Sequence, residues 1–161
     1  MTATKPRTFL TGATGYIGLH LLGELLQAGH SVTAAVRARE KLGPLARHPS
    51  LHIVQADLEA VTDFATLVGG HDCCIHGAFI WGEPGSEFQV RDASVSAKLF
   101  DACGAARVKR CILLSSAAVH RPFAGRMHED DPIHTADYYG ATKAASELFM
   151  HAACALHRMV G

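Results

Sequence analysis

Residues 11–18 read Thr-Gly-Ala-Thr-Gly-Tyr-Ile-Gly and directly follow a short apolar run, Thr8-Phe9-Leu10. A glycine-rich turn between a strand and a helix brings backbone N–H groups close to a pyrophosphate. Far along the chain, Tyr139-Gly-Ala-Thr-Lys143 puts a phenol and an ammonium at i and i+4, on one face of a helix. These two chemically complementary motifs, in this order, predict a dinucleotide site followed by an acid–base site.

The rest of the chain alternates between strand and helix patterns. The predicted strands cover residues 7–11, 31–36, 51–54, 72–78 and 109–116, and the predicted helices cover residues 16–28, 39–46, 60–68, 89–105 and 137–157. The inner face of the first helix is expected to carry Ile17, Leu21, Leu22, Leu25 and Leu26. Apolar strands separated by helices imply a parallel sheet covered on both faces. The prediction is an α/β, doubly wound sheet of Rossmann type with strand order 3-2-1-4-5.

Composition narrows the class of protein. The 161 residues suffice for one domain with a real core. The formal net charge is zero, which argues against binding to nucleic acid or to an anionic membrane surface. Five cysteines, an odd number without CxxC spacing, predict reduced thiols in a cytoplasmic protein. No apolar run approaches the length of a membrane span.

The two motifs together resemble those of the extended short-chain dehydrogenase/reductase family, which also contains nucleotide-sugar epimerases and dehydratases. The resemblance covers essentially the whole chain. Usual members continue into another strand and a C-terminal substrate-binding region, whereas this sequence stops at Gly161, just after the Tyr/Lys helix. We therefore expect residues 1–161 to be an NAD(P)-binding Rossmann domain truncated from a longer chain, with the substrate-binding region absent.

The glycine turn is the first part of the predicted cofactor site. Its three glycines allow a tight turn, a close backbone approach to phosphate and close packing of helix on strand. The turn is assigned to the cofactor contacts through Gly12, Thr14, Gly15, Tyr16, Ile17 and Gly18. The alternative is an ordinary glycine-rich turn.

The end of the second strand predicts which dinucleotide is bound. An NAD site places Asp or Glu there for the ribose 2′-OH. This chain instead reads Val36-Arg37-Ala38-Arg39, so two guanidiniums are available for a 2′-phosphate. NADP(H) is therefore the expected cofactor, with NAD as the alternative if Arg37 and Arg39 are merely solvated charges.

The resemblance implies further cofactor contacts after the third and fourth strands. Asp57 would accept a hydrogen bond from the adenine amino group and Leu58 would pack on the ring, although Asp57 could also cap the next helix. Gly77 and Ala78 would run beneath the nicotinamide ribose and matter through their lack of bulk. His76, before them, is expected to be structural.

The predicted catalytic set is Ser116, Tyr139 and Lys143. A free phenol titrates near pH 10, and a neighbouring ammonium and an oxidised nicotinamide would both stabilise the phenolate. Lys143 can also hydrogen-bond the nicotinamide ribose. The resemblance of residues 113–120 to the family's Ser-Ser-Ala-x-Val-Tyr segment makes Ser116 the catalytic hydroxyl, with Ser115 as the alternative. The alternative interpretation of the Tyr–Lys pair is that the two residues lie together on a helix surface by chance.

The sequence departs from the family at three places. In many members the helix before the fifth strand carries an Asn followed by Gly-Thr, and the corresponding stretch here is Asp92-Ala-Ser-Val-Ser96. His120 replaces a tyrosine common in nucleotide-sugar enzymes, and Arg121 replaces the next glycine. These departures weaken the sugar-nucleotide assignment, and His120 could contact substrate or only fill its position. No metal site is predicted, because Pro49 breaks the helix that would align His48 with His52.

The sequence thus favours an NADP(H)-dependent oxidoreductase that interconverts a carbonyl and an alcohol on a small-molecule substrate. The alternatives are an NAD(P)-dependent nucleotide-sugar epimerase or dehydratase, and a dinucleotide-binding regulator without catalysis. Residues 79–88 and 120–136 follow strands on the ligand side, where functional loops usually lie. The apolar helices 89–105 and 137–157 predict a homodimer, unless a missing C-terminal region covers them.

Overall fold

The computed structural model describes residues 5–81, 86–123 and 125–161, with residues 86–89 described by their backbone alone. The strands are β1 (Arg7–Thr11), β2 (Ser31–Val36), β3 (Leu51–Gln55), β4 (Cys73–His76) and β5 (Arg110–Leu113). The α-helices are α1 (Tyr16–Gln27), α2 (Phe64–Val68), α3 (Ser86–Ala105) and α4 (Tyr138–His157), and 3-10 segments cover Arg39–Arg47 and Ala117–His120. Residues 82–85 and Ala124, in the two predicted functional loops, lie outside the described residues.

The five strands form one sheet of order β3-β2-β1-β4-β5, and every pair is parallel. This confirms the predicted α/β doubly wound fold and its strand order. Phe9 in the central strand is in register with Thr33 on one side and Cys74 on the other. Because all strands run the same way, their carboxyl ends meet at one edge, where doubly wound sheets bind ligands.

Apolar side chains cover the sheet on both faces. Successive residues of β1 point to opposite faces, so Phe9 belongs to one buried cluster and Leu10 to the other. Helices α2, α3 and α4 contribute Phe64, Leu99 and Met150, among others, to the cluster around Phe9. The other cluster is closed by α1 and by the segment 39–47. Two helical layers therefore hold the sheet rigidly beneath its carboxyl edge.

The inner face of α1 differs from the prediction. Gly18, Leu22 and Leu26 are its buried residues, while Ile17 is 62% exposed, so its predicted inward position is wrong. These buried residues recur every four positions along α1, so the small Gly18 packs against the glycine turn and Ile17 does not. The helix lies too close to that turn to bury a branched side chain in its first residues.

Two other predicted helices are changed by local backbone chemistry. Residues 39–47 form 3-10 turns interrupted at Gly43, whose φ is +55°, because the following Pro44 cannot continue an α-helix. The predicted helix 60–68 shortens to α2, where the Asp63 side chain accepts a hydrogen bond from the Thr66 backbone N–H. That cap fixes the start of α2 at Phe64.

The predicted strands 72–78 and 109–116 end earlier than expected. Residues 77–81 and 114–116 leave the sheet after β4 and β5, and they form loops at its carboxyl edge. At the other end of β5, Val160 makes an isolated parallel bridge with Arg110. All five cysteines are free thiols. In the described part of the chain, none of the helices combines the length and apolar character needed to cross a bilayer.

Candidate active site

The glycine turn packs tightly against the neighbouring strand and helix. Gly12 has φ +75°, and a Cβ there would collide with the backbone of Gly77 and Ala78. A Cβ on Gly18 would collide with the carbonyl of Gly12. Glycine is therefore required at both positions, by contacts that join β1, α1 and the loop after β4.

The start of α1 leaves its first backbone N–H groups free for an anion. Gly15 is the N-cap and supplies no side-chain hydrogen bond, and the first turn carries no acidic residue. The N-terminus of a helix attracts anions through these N–H groups and through its dipole. Tyr16 and Ile17, in the first turn, are both exposed. This end of α1 has the geometry of a phosphate site.

A cleft of about 310 Å³ opens at the carboxyl edge of the sheet, within the size range of small-molecule sites. Eight residues predicted to bind the cofactor line it, namely Gly12, Thr14, Gly15, Arg37, Asp57, Leu58, Gly77 and Ala78. Further lining residues that the sequence did not single out are Ala35, Lys41, Glu59, Phe79, Ile80 and Trp81, together with Val36. Four separate parts of the chain thus meet at one cleft.

Two cations that follow β2 line this cleft, but they are not the predicted pair. Arg37 and Lys41 both border it, whereas Arg39, itself a described residue, is exposed and outside the lining. The carbonyl of Arg37 accepts a hydrogen bond from the Gln55 side chain at 3.2 Å, which ties the end of β2 to β3. Lys41 was missed because its position depends on the 3-10 turns, which bring it back toward the strand end.

Asp57 and Leu58 lie in a turn after β3 and take different roles. Leu58 is buried, and Asp57 Oδ1 accepts a hydrogen bond from the Glu59 backbone N–H at 3.1 Å. Asp57 does not cap α2, because Asp63 does so. The second carboxylate oxygen of Asp57 has no bond to an N–H of that helix in the described structure, and the residue borders the cleft instead.

Three aromatic rings meet at the end of the loop after β4. The Trp81 ring stacks on Tyr139, with centroids 5.5 Å apart and an interplanar angle of 11°. The centroid of the Phe79 ring lies 4.7 Å from that of Trp81 and 5.0 Å from that of Tyr139. Trp81 is 74% exposed and is the only tryptophan of the chain. The sequence offered no signal for this cluster beyond its place in a ligand-side loop.

Lys143 lies one helical turn after Tyr139 and is only 4% exposed. Its ammonium donates a hydrogen bond to the Leu114 carbonyl at 2.9 Å and lies 4.9 Å from the centroid of the Phe79 ring. Burial lowers the pKa of Lys143, while the charges of Asp92 and Glu147 act in the opposite direction. The ammonium is therefore held by the carbonyl end of β5 and by an aromatic face.

The two serines after β5 make different hydrogen bonds. Ser116 Oγ accepts from the Ala118 backbone N–H at 3.2 Å, as the N-cap of the 3-10 segment. Ser115 Oγ donates a short hydrogen bond to the carboxylate of Glu147 on α4. The Ser116 hydroxyl hydrogen is thus left for another acceptor, whereas that of Ser115 is engaged.

A buried polar chain supports the carboxyl ends of β1 and β4. The Thr11 hydroxyl lies 2.7 Å from His76 Nδ1 and accepts a hydrogen bond from the Ala78 backbone N–H. His76 Nε2 lies 3.1 Å from the Ser96 hydroxyl, which also accepts from Ser146. Burial, with a contribution from Lys143, lowers the pKa of His76 to about 3, so the imidazole is neutral. His76 joins β1, β4 and α3, the structural role expected for it.

Asp92 is a buried carboxyl beside the site, 2% exposed, at the position where many family members have asparagine. Its Oδ1 accepts a hydrogen bond from the Ile80 backbone N–H at 2.8 Å and so holds the loop after β4. Burial raises the pKa of Asp92, opposed by this hydrogen bond and by the charge of Lys143. Aspartate in place of asparagine therefore still provides a side-chain oxygen that accepts the hydrogen bond from the Ile80 backbone.

The residues at the other two departures are engaged with the chain itself. Arg121 pairs with Asp137 at 2.7 Å, and Asp137 caps α4 by accepting from the Gly140 backbone N–H. This cap bond and, secondarily, Arg121 lower the pKa of Asp137. His120 Nδ1 lies 3.2 Å from the Pro132 carbonyl. Arg121 thus helps to fix the start of the helix that carries Tyr139.

Metal ligation finds no support among the described residues, where no group of three or more His, Cys, Asp or Glu side chains could hold an ion. Three of the five cysteines, Cys74, Cys103 and Cys111, hydrogen-bond one another inside the cluster around Phe9. Cys154 belongs to the same cluster, and Cys73 is half-buried against the other one. The polar groups that line the cleft come from the glycine turn and from the segments that follow β2, β3 and β4.

Comparison with known proteins places this geometry in a family. Residues 12–154 match a family model described as NAD(P)H-binding. The 3-beta-hydroxysteroid dehydrogenase of Mycolicibacterium neoaurum is 31% identical over 157 residues, covering 89% of this chain and 42% of its own length. The UDP-glucose 4-epimerase of Azospirillum brasilense is 28% identical, over 97% of this chain and 47% of its own.

Solved structures agree with the sequence relatives. The UDP-glucuronic acid 4-epimerase from Bacillus cereus, crystallised in complex with NAD, has a TM-score of 0.84 at 25% identity, covering 95% of this chain and 54% of that one. The chain thus spans about half the length of the relatives it matches. The family match, the strand order and the glycine turn show that the chain belongs to the NAD(P)H-binding, extended short-chain dehydrogenase/reductase family.

Proposed function

We propose that the chain is the cofactor-binding part of an NADP(H)-dependent oxidoreductase that interconverts a carbonyl and an alcohol on a small-molecule substrate. The observation that carries the proposal is the contact of Tyr139 with two aromatic residues that line the cleft, Phe79 and Trp81. Trp81 lines the cleft and stacks on Tyr139, and Lys143 follows one turn later on α4. A proton donor and an ammonium therefore lie beside a site suited to a dinucleotide.

The residues of the cleft fit the cofactor. The collisions that a Cβ would cause at Gly12 and Gly18, and the uncapped start of α1, make a cradle suited to a pyrophosphate. In this proposal Asp57 and Leu58 hold the adenine, and Gly77 and Ala78 leave room for the nicotinamide ribose. When bound, the nicotinamide supplies or accepts the hydride.

Proton transfer in this proposal belongs to Tyr139. In the direction of reduction its phenol gives a proton to the substrate oxygen, and the Lys143 ammonium stabilises the phenolate that remains. Ser116 orients the same oxygen through its free hydroxyl hydrogen. The hydrogen bond from Ser115 to Glu147 supports Ser116 as the catalytic serine.

The second candidate function is a nucleotide-sugar epimerase, which the similarity to two enzymes named as 4-epimerases favours. An epimerase returns the hydride to the same substrate, so it consumes no free NADPH. Stoichiometric loss of NADPH absorbance on addition of carbonyl substrates to the whole protein supports the reductase, and conversion without net loss supports the epimerase. Tight cofactor binding with no turnover of either substrate class would indicate a regulator.

Arg37 is expected to determine the preference for NADP(H). A bidentate guanidinium–phosphate contact contributes roughly 1.5–3 kcal/mol, so Arg37→Ala should weaken NADP(H) binding about 10- to 100-fold. Affinity for NAD(H), which lacks the 2′-phosphate, should be unchanged. Titration calorimetry of both cofactors with both proteins measures this difference.

Arg39→Ala is the matched comparison, because it removes the same charge two residues away. We propose that Arg39 also attracts the 2′-phosphate, but its loss should cost less, since only Arg37 of the two lines the cleft. Equal affinity of the parent chain for NAD(H) and NADP(H), or an unaltered NADP(H) affinity in Arg37→Ala, would contradict the proposed cofactor.

We also propose that α3 and α4 form a homodimer interface. The two helices pack against each other, yet Val90 on α3 and Leu148, Phe149 and Leu156 on α4 are exposed. Burying these side chains between two copies would gain hydrophobic free energy at about 25 cal/mol per Å². Light scattering is expected to give a dimer, and Leu156→Glu should shift it to monomer.

Ile133→Glu is the control for that experiment, because Ile133 is also exposed but lies in the loop before α4. It adds the same charge and should leave the dimer intact. A monodisperse monomer for the parent chain at high concentration would rule the dimer out.

A further inference from the structure

Phe79 is the one ring that touches both members of the Tyr–Lys pair among the described residues. Its centroid lies 5.0 Å from that of Tyr139, at an interplanar angle of 68°, which is an edge-to-face arrangement. The Lys143 ammonium lies over its face at 4.9 Å. The exposed Trp81 ring packs on the Phe79 ring, with the two centroids 4.7 Å apart.

The ammonium has few ways to compensate for its burial. Lys143 is 4% exposed, and its ammonium donates a hydrogen bond to the Leu114 carbonyl. A buried ammonium without water needs either opposite charge or oriented electron density around it. The negative face of an aromatic ring supplies such density, and it does so more strongly when the cation is desolvated.

The charged and titratable groups around Lys143 come from several elements. Asp92 on α3 and Glu147 on α4 favour its charged form, and both act at longer range than an ion pair. His76 on β4 is neutral and adds no charge. Tyr139 precedes Lys143 by one turn of α4, and the uncharged Leu114 carbonyl after β5 accepts the hydrogen bond of the ammonium. The face of Phe79 is therefore a principal contact of the ammonium.

We propose that Phe79 is a positioning residue for the Tyr139–Lys143 pair, holding the ammonium over its face and the phenol ring in an edge-to-face contact. The inference rests on the proposed function for its catalytic meaning. The loop after β4 acts through this ring, because the Asp92 carboxylate fixes the loop backbone at Ile80, the next residue. Phe79 thus couples the cofactor-facing loop to the geometry of the catalytic helix.

Replacing the ring tests the contact directly. Phe79→Leu keeps an apolar side chain but removes the aromatic face, so the charged form of Lys143 loses stabilisation and the pKa of Lys143 should fall. The expected fall is about 0.5–1.5 pH units, the range that corresponds to a cation–π contact. Phe79→Tyr keeps the face and should titrate close to the parent chain.

The titration is read by NMR on the 161-residue chain labelled with 15N-lysine, which has only five lysines to resolve. The spectrum of Lys143→Arg assigns the Lys143 signal. Phe123→Leu is the control, because Phe123 makes a similar contact with Arg121, at 5.7 Å. It should not move the Lys143 titration.

A second replacement keeps the test decisive if Phe79→Leu fails to fold. Pentafluorophenylalanine at position 79 has nearly the shape of phenylalanine but a reversed ring quadrupole, so it should lower the Lys143 titration midpoint at least as far as leucine. A midpoint unchanged by the fluorinated ring overturns the inference, whatever the enzyme's turnover. Failure of the proposed function would instead appear as normal turnover without the Tyr139 hydroxyl, with the Lys143 midpoint still dependent on ring 79.

Discussion

Tyr139→Phe is expected to lower turnover by roughly 10²- to 10⁴-fold in the whole protein, the usual contribution of general acid–base catalysis. The substitution removes only the phenolic oxygen, so the ring that stacks on Trp81 and contacts Phe79 remains. Cofactor affinity and the free energy of unfolding should therefore stay close to the parent values. The measurement is turnover under conditions in which hydride or proton transfer limits the rate, with calorimetry for the cofactor.

Tyr138→Phe is the internal control for this loss. Tyr138 is 65% exposed, and the hydrogen bond that Thr142 makes to residue 138 uses the backbone carbonyl, so its own hydroxyl is dispensable. Turnover in Tyr138→Phe should be nearly unchanged. Lys143→Met should lower turnover and also weaken cofactor binding, because Lys143 is proposed to serve both. A Tyr139→Phe protein with near-normal turnover would leave the Tyr–Lys pair without a catalytic role.

Gly18→Ala is expected to lower both the stability of the domain and its affinity for the dinucleotide. The added Cβ would collide with the Gly12 carbonyl, and neither backbone can move without disturbing the packing of α1 on β1. Overpacking of this kind typically costs about 1–3 kcal/mol of stability. Displacement of Gly12 should also weaken dinucleotide binding at least tenfold, because a loss of about 1.4 kcal/mol of binding free energy in the phosphate contacts is enough for a tenfold change in affinity. Urea denaturation and titration calorimetry measure the two effects.

Gly23→Ala is the matched control, because it makes the same change in the same helix. A Cβ at Gly23 meets no heavy atom within 4 Å. Alanine is favoured over glycine in a helix interior by roughly 0.5–1 kcal/mol, so this variant should be more stable than the parent and bind the cofactor normally. If both alanine variants behaved alike, close approach of α1 to the glycine turn would not be the reason for Gly18.

The architecture could be predicted because its signals are local and repeated. Each strand is a short apolar run bounded by turn residues, and parallel pairing follows from the helical patterns between them. The ends of helices and strands were predicted less well, because single residues determine where a helix starts or stops. Asp63 starts α2 later than the apolar pattern indicates, and Pro44 prevents the segment 39–47 from forming one α-helix. β4 and β5 end before their apolar runs do. The residues that follow β4 line the cleft, and those that follow β5 form a loop at the same edge of the sheet.

The candidate site was predicted where a motif marks it. The glycine turn, Arg37, Asp57 and the Gly77–Ala78 pair all line one cleft, and the Tyr139–Lys143 helix lies beside it. Phe79, Trp81 and Lys41 carry no such motif. Their positions depend on how a loop folds back across the sheet edge, and apolar rings in a loop are indistinguishable in sequence from ordinary packing residues.

The sequence by itself determined the order of the strands, the glycine turn between β1 and α1, and the helical spacing that puts Tyr139 and Lys143 on one face. These features follow from hydrophobic periodicity, from the spacing of the glycines between a strand and a helix, and from the pitch of the α-helix, all of which are patterns among residues close together in the chain. Only the tertiary structure decided that Phe79 touches both the phenol and the ammonium, that Glu147 engages Ser115, and that Lys41 rather than Arg39 joins Arg37 at the cleft. These contacts join residues from separate elements, and such proximity arises from the packing of helices and loops on the sheet, which no local pattern encodes.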